Sequence, residues 1–264
     1  MMIGQSEISA EVASFSKDTV PHTILLLGPG GCGKHMVAKM IADRLEAPMM
    51  DITDSVGYEL ISGIQISTEP CLYLVDLDGI GDRAQNALLK FAEEPTAYSY
   101  VVLLASSDAG VLDTVMNRCY VMRFKPYSKE ELMQFSDDEA LVSYCSTPGQ
   151  VKSACCSIKD IEGLCSGMAG KMARARFDNA LSISDRINYK DEYDKWDVDI
   201  FMSVLLTKLS EDCIIKKDAA SVRMYGIARE AKSDMLDARL SKRSVIESMI
   251  IRMWRSARND VQGA

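Results

Sequence analysis

One stretch restricts what this chain can fold into more than any other: Gly28-Pro29-Gly30-Gly31-Cys32-Gly33-Lys34-His35, directly after the apolar run Ile24-Leu25-Leu26-Leu27. The apolar run reads as a buried strand, and the residues from Met36 to about Leu45 as an amphipathic helix. The spacing between them fits the phosphate-cradling pattern G-x-x-x-x-G-K-[ST] in every position but the last. Glycines let backbone N–H groups curl around phosphate oxygens, Lys34 adds a point charge, and the helix N-terminus favours an anion. Gly28 to His35 are therefore the candidate nucleotide-binding residues, with ATP or ADP as the occupant. The last position ordinarily supplies a hydroxyl to Mg²⁺, and here it is His35.

Four further segments repeat the strand signal: one at about 48–52, Leu72-Tyr73-Leu74-Val75 ending at Asp76, Val101 to Ala105, and Tyr120 to Phe124. A leading helix within residues 1–20 carries Ile8, Val12, Ala13 and Phe15 as its apolar positions. Residues 53–70 leave room for one short helix. A helix from about Arg83 to Glu94 is stopped by Pro95. Apolar strands alternating with helices predict an α/β domain with a five-stranded parallel sheet covered on both faces. Ligands on such sheets sit beyond the carboxyl ends of the strands, where both the glycine-rich turn and Asp76 fall.

Beyond Lys125-Pro126 the pattern turns helical. Short helices over 128–160 are broken at Ser146-Thr147-Pro148-Gly149, and from about 161 on only helical periodicities remain. Ile200, Val204, Leu205, Leu209 and Ile214 form one stripe; Met235, Leu236, Leu240, Ile246, Met249 and Ile250 form another. The expected organisation is an α/β domain over 1–125, a small helical piece over 126–160 and an all-helical domain over 161–264.

Charge narrows the partners. The chain carries a net −8, and residues 1–120 hold 7 Lys+Arg against 16 Asp+Glu, a balance of −9. A domain that gripped nucleic acid by itself would show a basic surplus. The eight cysteines are scattered and never spaced C-x-x-C, which predicts no zinc site and reduced, mostly buried thiols. No apolar run approaches the roughly 18 residues of a membrane span, and the first residues lack a secretory pattern. The expected compartment is the cytoplasm, with no membrane partner.

In a P-loop hydrolase the third strand ends in a carboxylate that holds Mg²⁺, followed by a second that handles the attacking water. Here the strand ends Val75-Asp76-Leu77-Asp78-Gly79. Asp76 holds the strand end and Leu77 follows it, while Asp78 either joins the site or opens a loop. Asp76 reads equally as a degenerate metal ligand and as an ordinary strand-terminating carboxylate.

Next comes Ala84-Gln85-Asn86-Ala87-Leu88-Leu89-Lys90-Phe91-Ala92-Glu93-Glu94-Pro95, and later Asn117-Arg118-Cys119 before a strand ending Phe124-Lys125-Pro126. With Ile3-Gly4-Gln5, Pro21-His22, Thr147-Pro148-Gly149 and the tail from Ile227 to Met253, these residues resemble the clamp-loader branch of the AAA+ ATPases. Within that branch the likeness is greatest to the delta-prime subunits of bacterial DNA polymerase III. The resemblance implies a P-loop AAA+ domain, a helical lid and a helical collar through which subunits join a hetero-pentamer. It also implies that the assembly places a sliding clamp on primed DNA. Arg118 would then act in trans as an arginine finger on ATP held by a neighbouring subunit.

The same resemblance puts Ser106 or Ser107 at the polar sensor of the fourth strand. It leaves Val75-Asp76-Leu77-Asp78 as a degenerate acidic motif, and the lid stretch Thr147 to Lys152 lacks the arginine of active members. The interval from Lys34 to Asp76 is too short for the four-cysteine zinc module of many relatives. Two expectations follow. In one, the chain is a delta-prime-like subunit that hydrolyses little or no ATP and supplies Arg118 to its neighbour. In the other, it is a self-sufficient AAA+ ATPase in which Asp76 and Asp78 hold the metal.

Overall fold

The computed structural model describes residues 2–57, 64, 68–78, 80–188, 196–217, 219–235 and 240–262. Leu236, and half of the stretch expected to hold at most one short helix between the second and third strands, lie outside the described residues; a 3-10 turn spans Thr53–Ser55. Two compact units emerge, one of residues 1–131 with 147–149 and one of residues 132–146 with 150–264.

The first unit is built on α1 (Ser6–Ser14), β1 (Thr23–Leu27), α2 (Lys34–Leu45), β2 (Met49–Asp51), β3 (Cys71–Asp76), α3 (Asp82–Glu93), β4 (Ser99–Ala105), α4 (Asp113–Met116) and β5 (Tyr120–Arg123). The strands form one sheet in the order β2-β3-β4-β1-β5, every pair parallel. All five strands expected from the apolar runs are there, within two residues of their expected limits. Strand β1 lies between β4 and β5, with Leu26 beside Leu104 on one side and Met122 on the other.

The unbroken apolar runs follow from burial on both faces, since alternate side chains of a strand point to opposite sides. Ile24, Leu26, Leu72, Leu74, Val102 and Leu104 share one core with Val37 and Ile41 of α2. Leu25, Leu27, Tyr73, Val75, Val101 and Leu103 share the other with Leu88 and Phe91 of α3. Phe91 is fully buried, so truncating it to alanine would cost on the order of 3–5 kcal/mol.

Two outlying motifs have structural work to do here. The buried Gln5 clasps the chain beyond β5, its amide donating to the Lys125 carbonyl at 2.8 Å and its oxygen accepting from the Lys125 N–H at 3.1 Å. His22 stacks on Tyr100 with ring centroids 4.7 Å apart, and its Nδ1 lies 3.0 Å from the Ser99 carbonyl oxygen.

After β5 the chain continues through α5 (Lys129–Leu132), α6 (Glu139–Tyr144) and α7 (Pro148–Ala154). By composition Ser146-Thr147-Pro148-Gly149 reads as a break between helices. Instead Pro148 and Gly149 open α7, as proline can where its missing N–H would have no helical partner.

The second unit continues with α8 (Ile158–Cys165), α9 (Met168–Arg174), α10 (Phe177–Leu181), β6 (Ile187–Asn188), β7 (Trp196–Asp197), α11 (Val198–Lys216), α12 (Ala219–Asp234) and α13 (Lys242–Gln262). The short parallel pair β6–β7 departs from the all-helical expectation. The Asp197 carboxylate caps α11, accepting from the N–H groups of Asp199 at 2.9 Å and Ile200 at 3.0 Å. Ile200, Val204, Leu205 and Leu209 are buried as the stripe requires, but Ile214 is 71% exposed. It stands in the last turn of α11, which ends at Lys216. In α13, Ile246, Met249, Ile250, Met253 and Ala257 are buried at helical spacing, whereas Leu240 precedes the helix and is exposed.

None of the eight cysteines forms a disulfide, and only Cys32, Cys71 and Cys165 are buried, while Cys155 and Cys156 are exposed. The expectation of mostly buried thiols is corrected on that point. No described helix is long and apolar enough to cross a membrane.

Candidate functional site

The glycine-rich turn runs between the end of β1 and the start of α2, as its spacing requires. Gly31 and Gly33 take φ of +76° and +106°, conformations that a side chain would oppose, so these two glycines are needed by the turn itself. Lys34 is the first residue of α2 and is only 8% exposed. Its ammonium donates to the Gly28 carbonyl and, at 3.3 Å, to the Pro29 carbonyl. Buried ammonium groups need such partners. Here the lysine takes them from its own loop.

The outer face of the turn is held by Thr147 and Gly149. The Thr147 hydroxyl donates to the Gly30 carbonyl at 3.0 Å, and the Gly149 N–H donates to the Gly31 carbonyl at 3.0 Å. The two backbones approach so closely that a Cβ on Gly149 would stand 2.5 Å from Gly31 Cα. Inside the turn, Cys32 is buried and its carbonyl accepts from the Tyr127 hydroxyl at 2.7 Å. Burial pushes the Cys32 thiol above its ordinary value, with Lys34 drawing it partly back. His35 follows on the exposed side of the first turn of α2.

Asp76 ends β3 beside this loop. Burial raises its carboxyl above the usual carboxylate range; the Asp78 charge adds to the rise, and Lys34 and His35 offset part of it. Its Oδ1 accepts from the Asp78 N–H at 2.9 Å, and its own N–H donates to the Thr53 hydroxyl at 2.9 Å. Asp78 turns to β4: Oδ1 accepts from the Ser106 N–H at 3.0 Å and Oδ2 from the Ser106 hydroxyl. Of the two sensor candidates, Ser106 is thus the one joined to the acidic segment. Ser107 leads into the turn at Asp108–Gly110, and its side chain caps nothing there.

This donor set does not fit a resident Mg²⁺. His35 offers no hydroxyl, both oxygens of Asp78 are held by Ser106, and Asp76 sits where burial opposes its charge. Two of the three N–H donors of Lys34 are engaged by the Gly28 and Pro29 carbonyls, so a nucleotide phosphate in the turn would meet the third or displace one of them.

Arg118 belongs to a different edge of the unit. Helix α4 ends in a tight sequence of backbone bonds, from the Asn117 N–H to Asp113, the Arg118 N–H to Val115 and the Cys119 N–H to Met116. Cys119 packs partly buried against the core, which pushes its thiol up to about 12 and anchors the turn. The Arg118 side chain is 40% exposed. One terminal nitrogen donates to the Thr114 carbonyl at 3.0 Å and the other pairs with Glu93 Oε1 at 2.8 Å.

The start of α4 is fastened to the same helix. Gln85, 2% exposed, donates to the Gly110 carbonyl at 2.8 Å and accepts from the Leu112 N–H at 3.0 Å. Neither Glu93 nor Gln85 stands out in the sequence as an individual residue. For Gln85 a signal existed, since it lies three residues before Leu88 on the apolar face of α3; for Glu93 there was none.

Residues 62–128 match the family described as DNA polymerase III, delta subunit, a stretch that holds Asp76, Asp78, all of α3 and Arg118. The replication factor C small subunit of Staphylothermus marinus is 27% identical over 150 residues, covering 50% of this chain and 45% of that protein. The ATP-dependent zinc metalloprotease FtsH of Cyanidium caldarium is 27% identical over 144 residues, covering 41% of this chain and 24% of that protein. The chain thus spans less than half the length of these curated relatives. Among solved structures, the Thermotoga maritima RuvB Holliday junction branch migration motor aligns at 14% identity with a TM-score of 0.47, over 89% of this chain and 83% of that one.

The fold is α/β, a five-stranded parallel sheet with the glycine-rich loop between β1 and α2 and with helices following the sheet domain. In sequence the chain is similar to clamp-loader AAA+ ATPases.

Proposed function

We propose that this chain is a delta-prime-like subunit of a DNA polymerase sliding-clamp loader. It hydrolyses little or no ATP itself and supplies Arg118 to an ATP site on a neighbouring subunit. The observation that carries this reading is the contrast between two cations. Lys34 is buried and bonded to its own loop, while Arg118 stands at the surface on a fastened turn.

In such an assembly the guanidinium would meet the γ-phosphate oxygens of the neighbour's ATP as charge shifts during phosphoryl transfer. A preorganised cation there lowers the barrier without reorganising at the moment of reaction. Arginine fingers in phosphoryl-transfer enzymes are worth roughly 10³–10⁵ in rate. The helical second unit would serve as lid and collar, joining the other subunits of a hetero-pentamer. Clamp and primed DNA would be reached through the complex, in keeping with the −9 balance of residues 1–120.

The second reading, a self-sufficient ATPase, draws on Asp76, whose carboxyl feels the charges of both Lys34 and His35. Incubating the purified chain with Mg-ATP separates the two. The proposal expects no steady turnover, and turnover abolished by Lys34→Ala would favour the second reading.

A further inference from the structure

We infer that Glu93 is a positioning residue for Arg118, an inference that rests on Arg118 acting in trans. Glu93 is the last residue of α3, one step before the helix is closed by the Glu94 N–H bonding the Lys90 carbonyl. Helix α3 is itself immobilised, with Phe91 and Leu88 buried in the core of the sheet. The carboxylate therefore projects from a rigid element, and its Oε1 meets an Arg118 nitrogen at 2.8 Å.

The other terminal nitrogen is held by the Thr114 carbonyl at 3.0 Å, within the turn that carries Arg118. Two fixed acceptors on the two terminal nitrogens define the plane and direction of the guanidinium. Of its five N–H groups these bonds use two, leaving three for a phosphate. A long side chain at 40% exposure would otherwise sample many rotamers, and ordering them at the moment of contact costs free energy. Glu93 removes that freedom beforehand.

An exposed ion pair of this kind contributes little to stability, so its value lies in aim. A carboxylate beside the guanidinium also opposes an incoming phosphate. Glutamine would keep the acceptor and drop the charge. The two effects of Glu93 are thus separable by substitution.

The test uses the clamp-loading complex reconstituted with its ATPase subunits, assayed with Mg-ATP, clamp and primed DNA after confirming assembly by native mass. Glu93→Ala is expected to lower kcat about tenfold, with the KM for ATP unchanged. Glu93→Gln is expected to stay within about twofold of the unaltered protein, since the acceptor that aims the guanidinium remains. In an Arg118→Ala background, Glu93→Ala should have no further effect.

A loss with Arg118→Ala but none with Glu93→Ala would overturn the positioning role and leave the finger standing. An equal loss from Glu93→Ala with Arg118 already removed would overturn it too, by making the effect structural. No loss with Arg118→Ala would refute the underlying reading of Arg118 instead.

Discussion

Asp78 is clasped by Ser106: the two oxygens of its carboxylate accept from the serine N–H, at 3.0 Å, and from the serine hydroxyl. In a hydrolysing P-loop protein a carboxylate in this region would be directed at a metal ion or water. Here it ties the end of β3 to the end of β4.

That clasp makes Asp78→Ala a stability variant with no catalytic phenotype. Because the pair is solvent-exposed, the loss should be modest, about 0.5–1.5 kcal/mol by chemical denaturation. ATP turnover of the assembled complex should stay unchanged. A large drop in turnover with no loss of stability would mean that Asp78 handles metal or water after all.

Lys34 leads to the opposite expectation from a working P-loop. In a hydrolase the lysine waits for phosphate and its removal mainly abolishes chemistry. Here Lys34→Ala strips the partner from the Gly28 and Pro29 carbonyls beneath a closed turn. Unfolding free energy should fall by about 1–3 kcal/mol. Urea unfolding of the purified chain measures this, and an unchanged midpoint would show that the internal bonds contribute nothing.

Asp76 gives a pH signature. Its folded pKa is raised by burial, so the native state binds a proton more tightly than the unfolded chain. Stability from this group is fully present below the unfolded carboxylate pKa and is lost as pH rises through the folded one. Asp76→Asn keeps the acceptor for the Asp78 N–H and removes the buried charge. Thermal melts should show the variant more stable at pH 7, with the advantage vanishing toward pH 3. An advantage that persists undiminished at low pH would contradict the assignment.

The centre of the sheet was legible because β3, β4 and β1 are buried on two faces, which turns each into an uninterrupted apolar run such as Ile24 to Leu27, whereas the edge strand β2 is exposed and β5 only partly buried. The glycine-rich turn was legible because Gly31 and Gly33 need backbone conformations closed to other residues. What could not be read were contacts between distant segments. Nothing local tells that Thr147 and Gly149 close on a turn at Gly30 and Gly31, and Pro148 looked like a break when it opens a helix. The Glu93–Arg118 pair spans 25 residues, and Glu93 looks like an ordinary surface charge. The exposure of Ile214 and Leu240 escaped because a period describes a helix only up to its ends.

The assignment of Arg118 is tested most directly by ATP turnover of the complex reconstituted with Arg118→Ala, beside a matched complex carrying Lys34→Ala. Arg118→Ala should lower clamp-dependent turnover at least about tenfold with assembly intact, and Lys34→Ala should leave the turnover of assembled complex near its normal level. Normal turnover with Arg118→Ala would contradict the role in trans, and a loss confined to Lys34→Ala would place the chemistry in this chain's own loop.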